Sequence, residues 1–370
     1  MSEKKGLMTQ YPFARGRKVV CKNIGDYIQS IATRQFLDHI DEYIEQEEAC
    51  NYFPEDKKTI RLIMNGWFQW RAENWPPSEY IKPLLISMHI SPLKAEKLLT
   101  PKGIDFLKKF SPVGCRDKGT LELLEKHSIP SYFSACMTLT LGKKYSIPKA
   151  SHHGVCIVDP YIEIPKLRFY QIPYYFFYFL FHCQIILKLG KQRFFKVYSP
   201  TGFLDRSNSK IRPYYKAIVF YKVYSRLFSK NILLNAEYIT HWIDINIGKD
   251  TNDDCLNIAE SLVKKYANAQ MVITSRIHAG LPCLGVNTPV IFITNNEVIS
   301  ENGTFNTPGR LGGLLDFFRC FNLAKGEFTT NDEIFSQINY FDEKTTFENK
   351  KNWQPYAENL IKKVEDFMRF

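Results

Sequence analysis

Val272-Ile273-Thr274-Ser275-Arg276-Ile277-His278-Ala279-Gly280-Leu281-Pro282 reads as a buried strand that breaks at a polar turn and runs straight into a helix. The apolar run 271–273 suits an interior parallel strand, and Thr274 or Ser275 is the expected helix cap. The first turn of that helix, at Ser275, Arg276 and Ile277, offers unpaired backbone N–H groups beside a guanidinium and the imidazole of His278. Such a turn suits a phosphorylated ligand. The plainer alternative is that Arg276 makes a salt bridge and His278 only caps the helix.

Outward from this turn the same strand–turn–helix pattern repeats. Residues 18–21 form a short apolar piece, Asn23-Ile24-Gly25-Asp26 a turn, and Tyr27, Ile28, Ile31, Ala32, Phe36 and Leu37 recur at helical spacing. Strands are expected at 59–64, ending at Asn65-Gly66-Trp67, and at 83–88, ending at His89. Helices follow at 103–110 and 118–126, with the polar turn Gly114-Cys115-Arg116-Asp117 between them. A second series has strands at 154–158, 236–241, 270–274 and 289–293, and helices at 254–266 and from Arg276. A last amphipathic stretch, 353–370, reads as a closing helix. Alternation at this spacing predicts α/β units with parallel sheets. Ligands of open α/β sheets bind outside the carboxyl ends of strands, where Gly25, Asn65, His89, Arg116 and Arg276 all fall.

A chain of 370 residues exceeds the size at which one core usually splits. The expected division is an N-terminal Rossmann-like domain at 1–150, a C-terminal one at 151–330 with an insertion at 160–231, and a closing segment at 331–370. Nine scattered cysteines, with no CxxC pair and no recognisable signal peptide, point to free thiols, a reducing cytoplasm and no metal site. The adjacent pair His152-His153 does not alter this, because neighbours in a strand point to opposite faces.

The net charge of +11 is local. Residues 167–231 hold twelve Lys or Arg and a single acid, Asp205, and the rest of the chain is balanced. The same segment holds 19 of the 54 aromatic residues, including Tyr174-Tyr175-Phe176-Phe177-Tyr178-Phe179. The apolar part, interrupted by Pro173, His182, Gln184 and Lys188, falls short of a spanning helix, which needs about 20 predominantly apolar residues. Basic residues interleaved with Phe and Tyr suit a helical projection resting on an anionic membrane surface; the plainer alternative is an aromatic helical hairpin packed on the body with its lysines in solvent. A neutral body without a recognised nucleic-acid module argues against nucleic acid as the partner.

Six blocks in order, Asn23–Gln29, Asn65-Gly66-Trp67, His89-Ile90-Ser91, 112–117, 134–141 and 273–291, resemble the polysaccharide pyruvyl transferase family. The likeness covers most of 15–160 and 232–320, and leaves 160–231 outside it. It implies two Rossmann-like domains facing across a cleft, similar to GT-B glycosyltransferases. It implies transfer of pyruvate from phosphoenolpyruvate, a co-substrate, to two hydroxyls of a sugar as a cyclic ketal, without a cofactor. The resemblance places Arg116, Arg276 and His278 at the donor.

Phosphoenolpyruvate carries a phosphate and a carboxylate on a small frame, which two guanidiniums and a helix N-terminus can hold by charge-assisted bonds. Reaction needs a proton on the methylene carbon. His278 has the right ordinary pKa range to give it, and Asp26 can orient or deprotonate a sugar hydroxyl. Arg310 is a further candidate anion ligand; Gly25, Asn65, Trp67 and His89 are candidates for the acceptor side, Trp67 by stacking on a sugar face. Two other readings compete. One is a nucleotide-sugar-dependent glycosyltransferase of the same architecture, and the other a non-catalytic membrane-associated scaffold of polysaccharide assembly. A lipid-linked saccharide acceptor would place the enzyme on the inner face of the cell membrane.

Overall fold

The computed structural model describes residues 3–10, 18–68, 71–199, 205, 207–295 and 311–369. The chain begins with β1 (Lys4–Thr9), β2 (Val19–Asn23), α1 (Gly25–Arg34), β3 (Glu42–Glu45), β4 (Ile60–Phe68) and β5 (Ile81–Ile90). Then come α2 (Ala95–Leu98), α3 (Pro101–Lys109), β6 (Val113–Cys115), α4 (Lys118–Lys126) and β7 (Ser131–Phe133). Six of these strands form a parallel sheet in the order β3-β1-β4-β5-β6-β7. The helices start where capping chemistry predicts. Thr100 accepts from the Gly103 N–H ahead of Pro101, and Asp117 accepts from the Thr120 N–H at the head of α4.

After α5 (Gly142–Tyr145) and β8 (Val155–Val158), a helical segment follows: α6 (Ile172–Phe181), α7 (Cys183–Gly190), α8 (Arg193–Val197), α9 (Arg212–Tyr224) and α10 (Lys230–Asn235). The pattern resumes with β9 (Glu237–Ile239), β10 (Trp242–Asn246), α11 (Asn252–Asn268), β11 (Met271–Thr274), α12 (Ile277–Gly285) and β12 (Val290–Thr294). β13 (Arg319–Ala324), β14 (Glu327–Thr329) and α13 (Gln354–Arg369) complete the described chain. The second sheet runs β14-β13-β12-β11-β8-β9, parallel except for β14. β11 and β12 are buried at every position, as apolar runs covered on both faces require. The Thr251/Asp254 capping box opens α11.

Both sheets share the doubly wound order, in which the chain reverses direction across the sheet once. The reversal lies between β1 and β4 in the first sheet and between β8 and β11 in the second.

Three sequence expectations need correction. The strand at 18–21 does not enter the first sheet; β2 pairs antiparallel with β10 as a separate ribbon, Asn23 opposite Trp242, and the sheet's own first strand is β1. Asn65, Trp67 and His89 lie within strands rather than beyond their ends, because β4 continues through a bulge between Met64 and Gly66, and β5 extends to Ile90. The segment 167–231 is only in part a projection. Phe194, Phe195, Phe220, Tyr224 and Phe228 are buried with Ile157, Ile273 and Ile291, so α8, α9 and the turn after it cover one face of the second sheet. Lys216, expected on the basic face, is 1% exposed and paired with Asp205 at 2.7 Å.

One of three apolar clusters among the described residues runs through both series of elements, joining Leu7, Ile24 and Ile28 to Leu256, Val272 and Leu281, and α13 adds Leu360 and Val364 to it. Among the described residues no single helix is long and apolar enough to cross a membrane. Phe169–Phe181 and Cys183–Gly190 would qualify together, but they are bent by 99°.

Candidate functional site

The reversal point of the second sheet carries charge on both flanking strands. Asp159 follows β8 at a φ of +38°, a region costly for a residue with a side chain. Its Oδ2 accepts from Arg276 Nε at 3.2 Å and from the His241 N–H at 2.9 Å. Arg276 is the cap residue of α12, with its own N–H held by Thr274 Oγ1 at 2.9 Å and its guanidinium 5.5 Å from the Trp242 ring centre. Neither expected cap serves as written. Ser275 Oγ instead accepts from the Tyr161 N–H at 2.7 Å, pinning the loop after β8, and Ile277 is buried in the core, so any ligand contact from it comes from the backbone.

His241 lies behind Arg276, wholly buried, with Nε2 2.7 Å from Tyr266 Oη. Burial pushes its pKa down to about 4, with Asp159 opposing and the charges of Arg276 and His278 assisting. It is therefore neutral at neutral pH. Its ring also explains Gly25: a Cβ there would come within 2.4 Å of His241 Nδ1. That close approach brings the start of α1 against the second series, where the Ile24 N–H donates to the His241 carbonyl at 2.8 Å.

The first sheet contributes from the ends of β5 and β6. Arg116 directly follows β6 and is 1% exposed, yet among the described residues its Nε and Nη2 have no hydrogen-bond partner; Nε is ion-paired with Asp117 Oδ2 at 3.7 Å. Asp117 is already engaged. It accepts from His89 Nδ1 at 2.6 Å and caps α4 through Thr120, so little of its charge is free for the guanidinium. Trp67 stands beside His89, ring centres 5.4 Å apart. Ala135, at a φ of +60°, bends the chain after β7 so that Cys136 turns inward.

The two sides meet at His278 and Cys136. His278 Nδ1 is 3.4 Å from Asp26 Oδ1 in the first turn of α1, and its Nε2 is buried without a hydrogen-bond partner among the described residues. The imidazole also lies against the Cys136 thiol, which accepts from Thr138 Oγ1 at 3.2 Å. Burial raises the Cys136 pKa, but the His278 contact and the nearby charges of His278 and Arg116 outweigh it and hold the thiol below its ordinary range.

Of the residues singled out from sequence, Gly25, Asp26, Arg116, Arg276 and His278 belong to this linked set, with His89 and Trp67 joined through Asp117. Asn65 does not join it. Its amide is taken up by Thr33 Oγ1 at 2.9 Å and the Gln29 carbonyl at 3.2 Å, tying β4 to α1. Arg310 lies outside the described residues. Asp159, His241 and Cys136 were not singled out. Their position at or just after strand ends is the signal that could have found them.

Compared with known protein families, residues 23–297 match the family described as polysaccharide pyruvyl transferase. No curated protein and no solved structure matches.

Proposed function

The chain belongs to the polysaccharide pyruvyl transferase family, and from that premise we propose that it transfers pyruvate from phosphoenolpyruvate to two hydroxyls of a sugar unit, leaving a cyclic ketal and inorganic phosphate. The observation that supports this reading is the buried Arg116 guanidinium, whose Nε and Nη2 have no hydrogen-bond partner among the described residues and whose charge is felt at the Cys136 thiol beside His278. Buried N–H groups of a cation without hydrogen-bond partners are costly unless a ligand completes them. Phosphoenolpyruvate fits that requirement, with Arg116 and Arg276 taking its phosphate and carboxylate. The two sheets then act as facing Rossmann-like halves of the GT-B kind.

Asp26 supports the acid–base role. With Nδ1 turned to the carboxylate, the imidazolium presents Nε2 to the donor. Nε2 gives its proton to the methylene carbon, making it a methyl group, while a sugar hydroxyl forms a C–O bond at C2. The imidazole, now neutral, receives the proton of that hydroxyl. Return of this proton to the bridging oxygen lets phosphate leave, and the second hydroxyl closes the ring, its proton passing to the neutral imidazole and restoring the imidazolium. The two arginines offset the charge on the departing phosphate. Trp67 and His89 line the acceptor side, with Asp117 holding His89 in place.

Binding and single-turnover measurements on two variants test this. His278→Ala should lose transfer by at least about a hundredfold while still binding phosphoenolpyruvate. Arg276→Ala should instead weaken donor binding by roughly tenfold or more. A near-normal single-turnover rate in His278→Ala would remove it as proton donor. A thermal shift produced by nucleotide sugars and not by phosphoenolpyruvate would favour a glycosyltransferase.

A further inference from the structure

The helical segment between β8 and β9 is divided between two roles. α9 is core, and α7 buries Ile185, Ile186 and Leu189. α7 also runs so close to α9 that a Cβ on Gly190 would meet the Tyr214 ring at 2.3 Å. α6 is different: none of its residues is buried. Tyr175 and Tyr178 face inward, Tyr175 against Tyr215 with rings 5.2 Å apart and Tyr178 against Tyr221 at 6.4 Å, while the half-exposed Tyr174 carries Lys222 Nζ 4.6 Å over its ring. The outward side carries Phe176, Phe177, Leu180 and Phe181, and the turn before it Phe169 and Tyr170; Phe169 is 91% exposed and Phe181 83%. The four phenylalanines alone leave on the order of 500 Å² in water, as much as the largest apolar patch of an ordinary monomer.

We propose that α6 with its preceding turn is a monotopic membrane wedge, seated at the headgroup level of an anionic bilayer. The rim of the patch decides the occupant. Lys166, Arg168, Lys188 and Lys191 are all exposed around it, and residues 164–199 contain no Asp or Glu. A second copy meeting this patch about a two-fold axis would set that uniform positive rim against itself. An anionic lipid surface supplies both apolar depth for the phenylalanines and negative charge for the rim. The 99° bend and the return of α7 into the core suit a helix lying in the interface rather than a span.

The wedge is also joined to the site by a short, pinned connection. Asp159 holds Arg276, the Tyr161 N–H donates to Ser275 Oγ, and Tyr224 Oη donates to the Tyr161 carbonyl at 2.7 Å. Further along, Tyr215 Oη donates to the Pro165 carbonyl at 2.9 Å, four residues before Phe169. If the proposed chemistry holds, an enzyme so seated meets a saccharide carried on a lipid; the docking itself does not rest on that reading.

Vesicle sedimentation of the full chain tests it, with phosphatidylcholine alone or mixed with phosphatidylglycerol, at about 0.1 M and about 1 M salt. Wild type should bind the anionic vesicles more tightly, by on the order of tenfold, and keep a residual attachment at high salt from the aromatic side chains. The combined variant Phe169→Ser, Phe176→Ser, Phe177→Ser and Phe181→Ser should lose that salt-resistant part while its far-ultraviolet circular dichroism is unchanged. Should that variant not fold, Phe177→Trp provides a second readout, a blue shift of the new indole's emission on adding anionic vesicles. Equal binding by wild type and the serine variant, no binding by wild type, or no emission shift in the Phe177→Trp variant overturns the proposal. So does a wild-type dimer that becomes monomeric in the serine variant without vesicle binding by either, which would make the patch an interface between copies. The assay uses neither donor nor acceptor, so its failure leaves the proposed pyruvyl transfer untouched, and loss of that chemistry would leave the docking result standing.

Discussion

Arg116 is held in place at a thermodynamic disadvantage. Its guanidinium is almost fully buried with two nitrogens unpartnered, and the carboxylate next to it is already committed to His89 and Thr120. An unsatisfied buried group of this kind costs about 1–3 kcal/mol, more when charged. Arg116→Met, of similar length, should therefore raise the urea midpoint of the ligand-free protein and at the same time remove the thermal shift given by phosphoenolpyruvate. Lower stability together with a retained shift would show that the guanidinium has a structural partner and no ligand. His241 gives a pH prediction. Its folded pKa, about 4, lies below its ordinary value of 6.5. Between these values the unfolded chain holds the proton and the folded chain does not. Stability from this residue is thus fully present above pH 6.5 and is lost as pH falls toward 4, by on the order of 3 kcal/mol in all. His241→Gln should flatten that part of the stability profile; a profile of unchanged slope would show that the ring is protonated when folded.

At the scale of elements, the helical segment between β8 and β9 behaves as two parts that respond differently to charge. Lys216 on α9 is 1% exposed, held by Asp205 at 2.7 Å and donating to the Tyr198 carbonyl at 2.5 Å, while Arg212 also reaches Asp205 at 2.8 Å. Lys216→Glu would bury two carboxylates side by side. The expected cost is about 3–5 kcal/mol, the usual result of breaking a buried pair from one side, read as a lower urea midpoint. Lys188→Glu on α7, an exposed position, should change the stability by no more than about 0.5 kcal/mol. Equal effects at the two positions would mean that α9 is not packed as described.

For the whole molecule, the shared core makes a claim about cooperativity. Leu7, Ile24 and Ile28 belong to the same buried cluster as Leu256, Val272 and Leu281, and the C-terminal helix α13 packs into it while Lys143 reaches Glu365 at 2.7 Å. The β2–β10 ribbon and the approach of Gly25 to His241 join the two series again beside the site. Scanning calorimetry should accordingly show one unfolding transition, with calorimetric and van't Hoff enthalpies in agreement. Two separated transitions would show that the two sheets fold as independent units. Since Arg116 and Arg276 come from different sheets, phosphoenolpyruvate should shift that one transition as a whole.

The strand at 271–274, the helix after it, the span of the helix at 118–126 and the α/β class were legible in the sequence, because local apolar periodicity and capping residues act over one or two turns of chain. The placing of Arg116 and Arg276 just after buried strands was legible for a related reason, since the apolar run and the polar turn that ends it are local features. What periodicity could not supply was pairing. Val19–Asn23 has the composition of a sheet strand, and only its partner, Trp242–Asn246, makes it a ribbon. Asn65 looks like a strand-end ligand until Thr33 and Gln29 are brought across from α1. The aromatic, basic stretch 167–231 has one composition but two fates, because α9 meets the face of the second sheet while α6 keeps every residue at least partly in solvent. The contact of His278 with Cys136 and with Asp26 was also beyond local reading, because it depends on how α1, α12 and the turn after β7 are packed together.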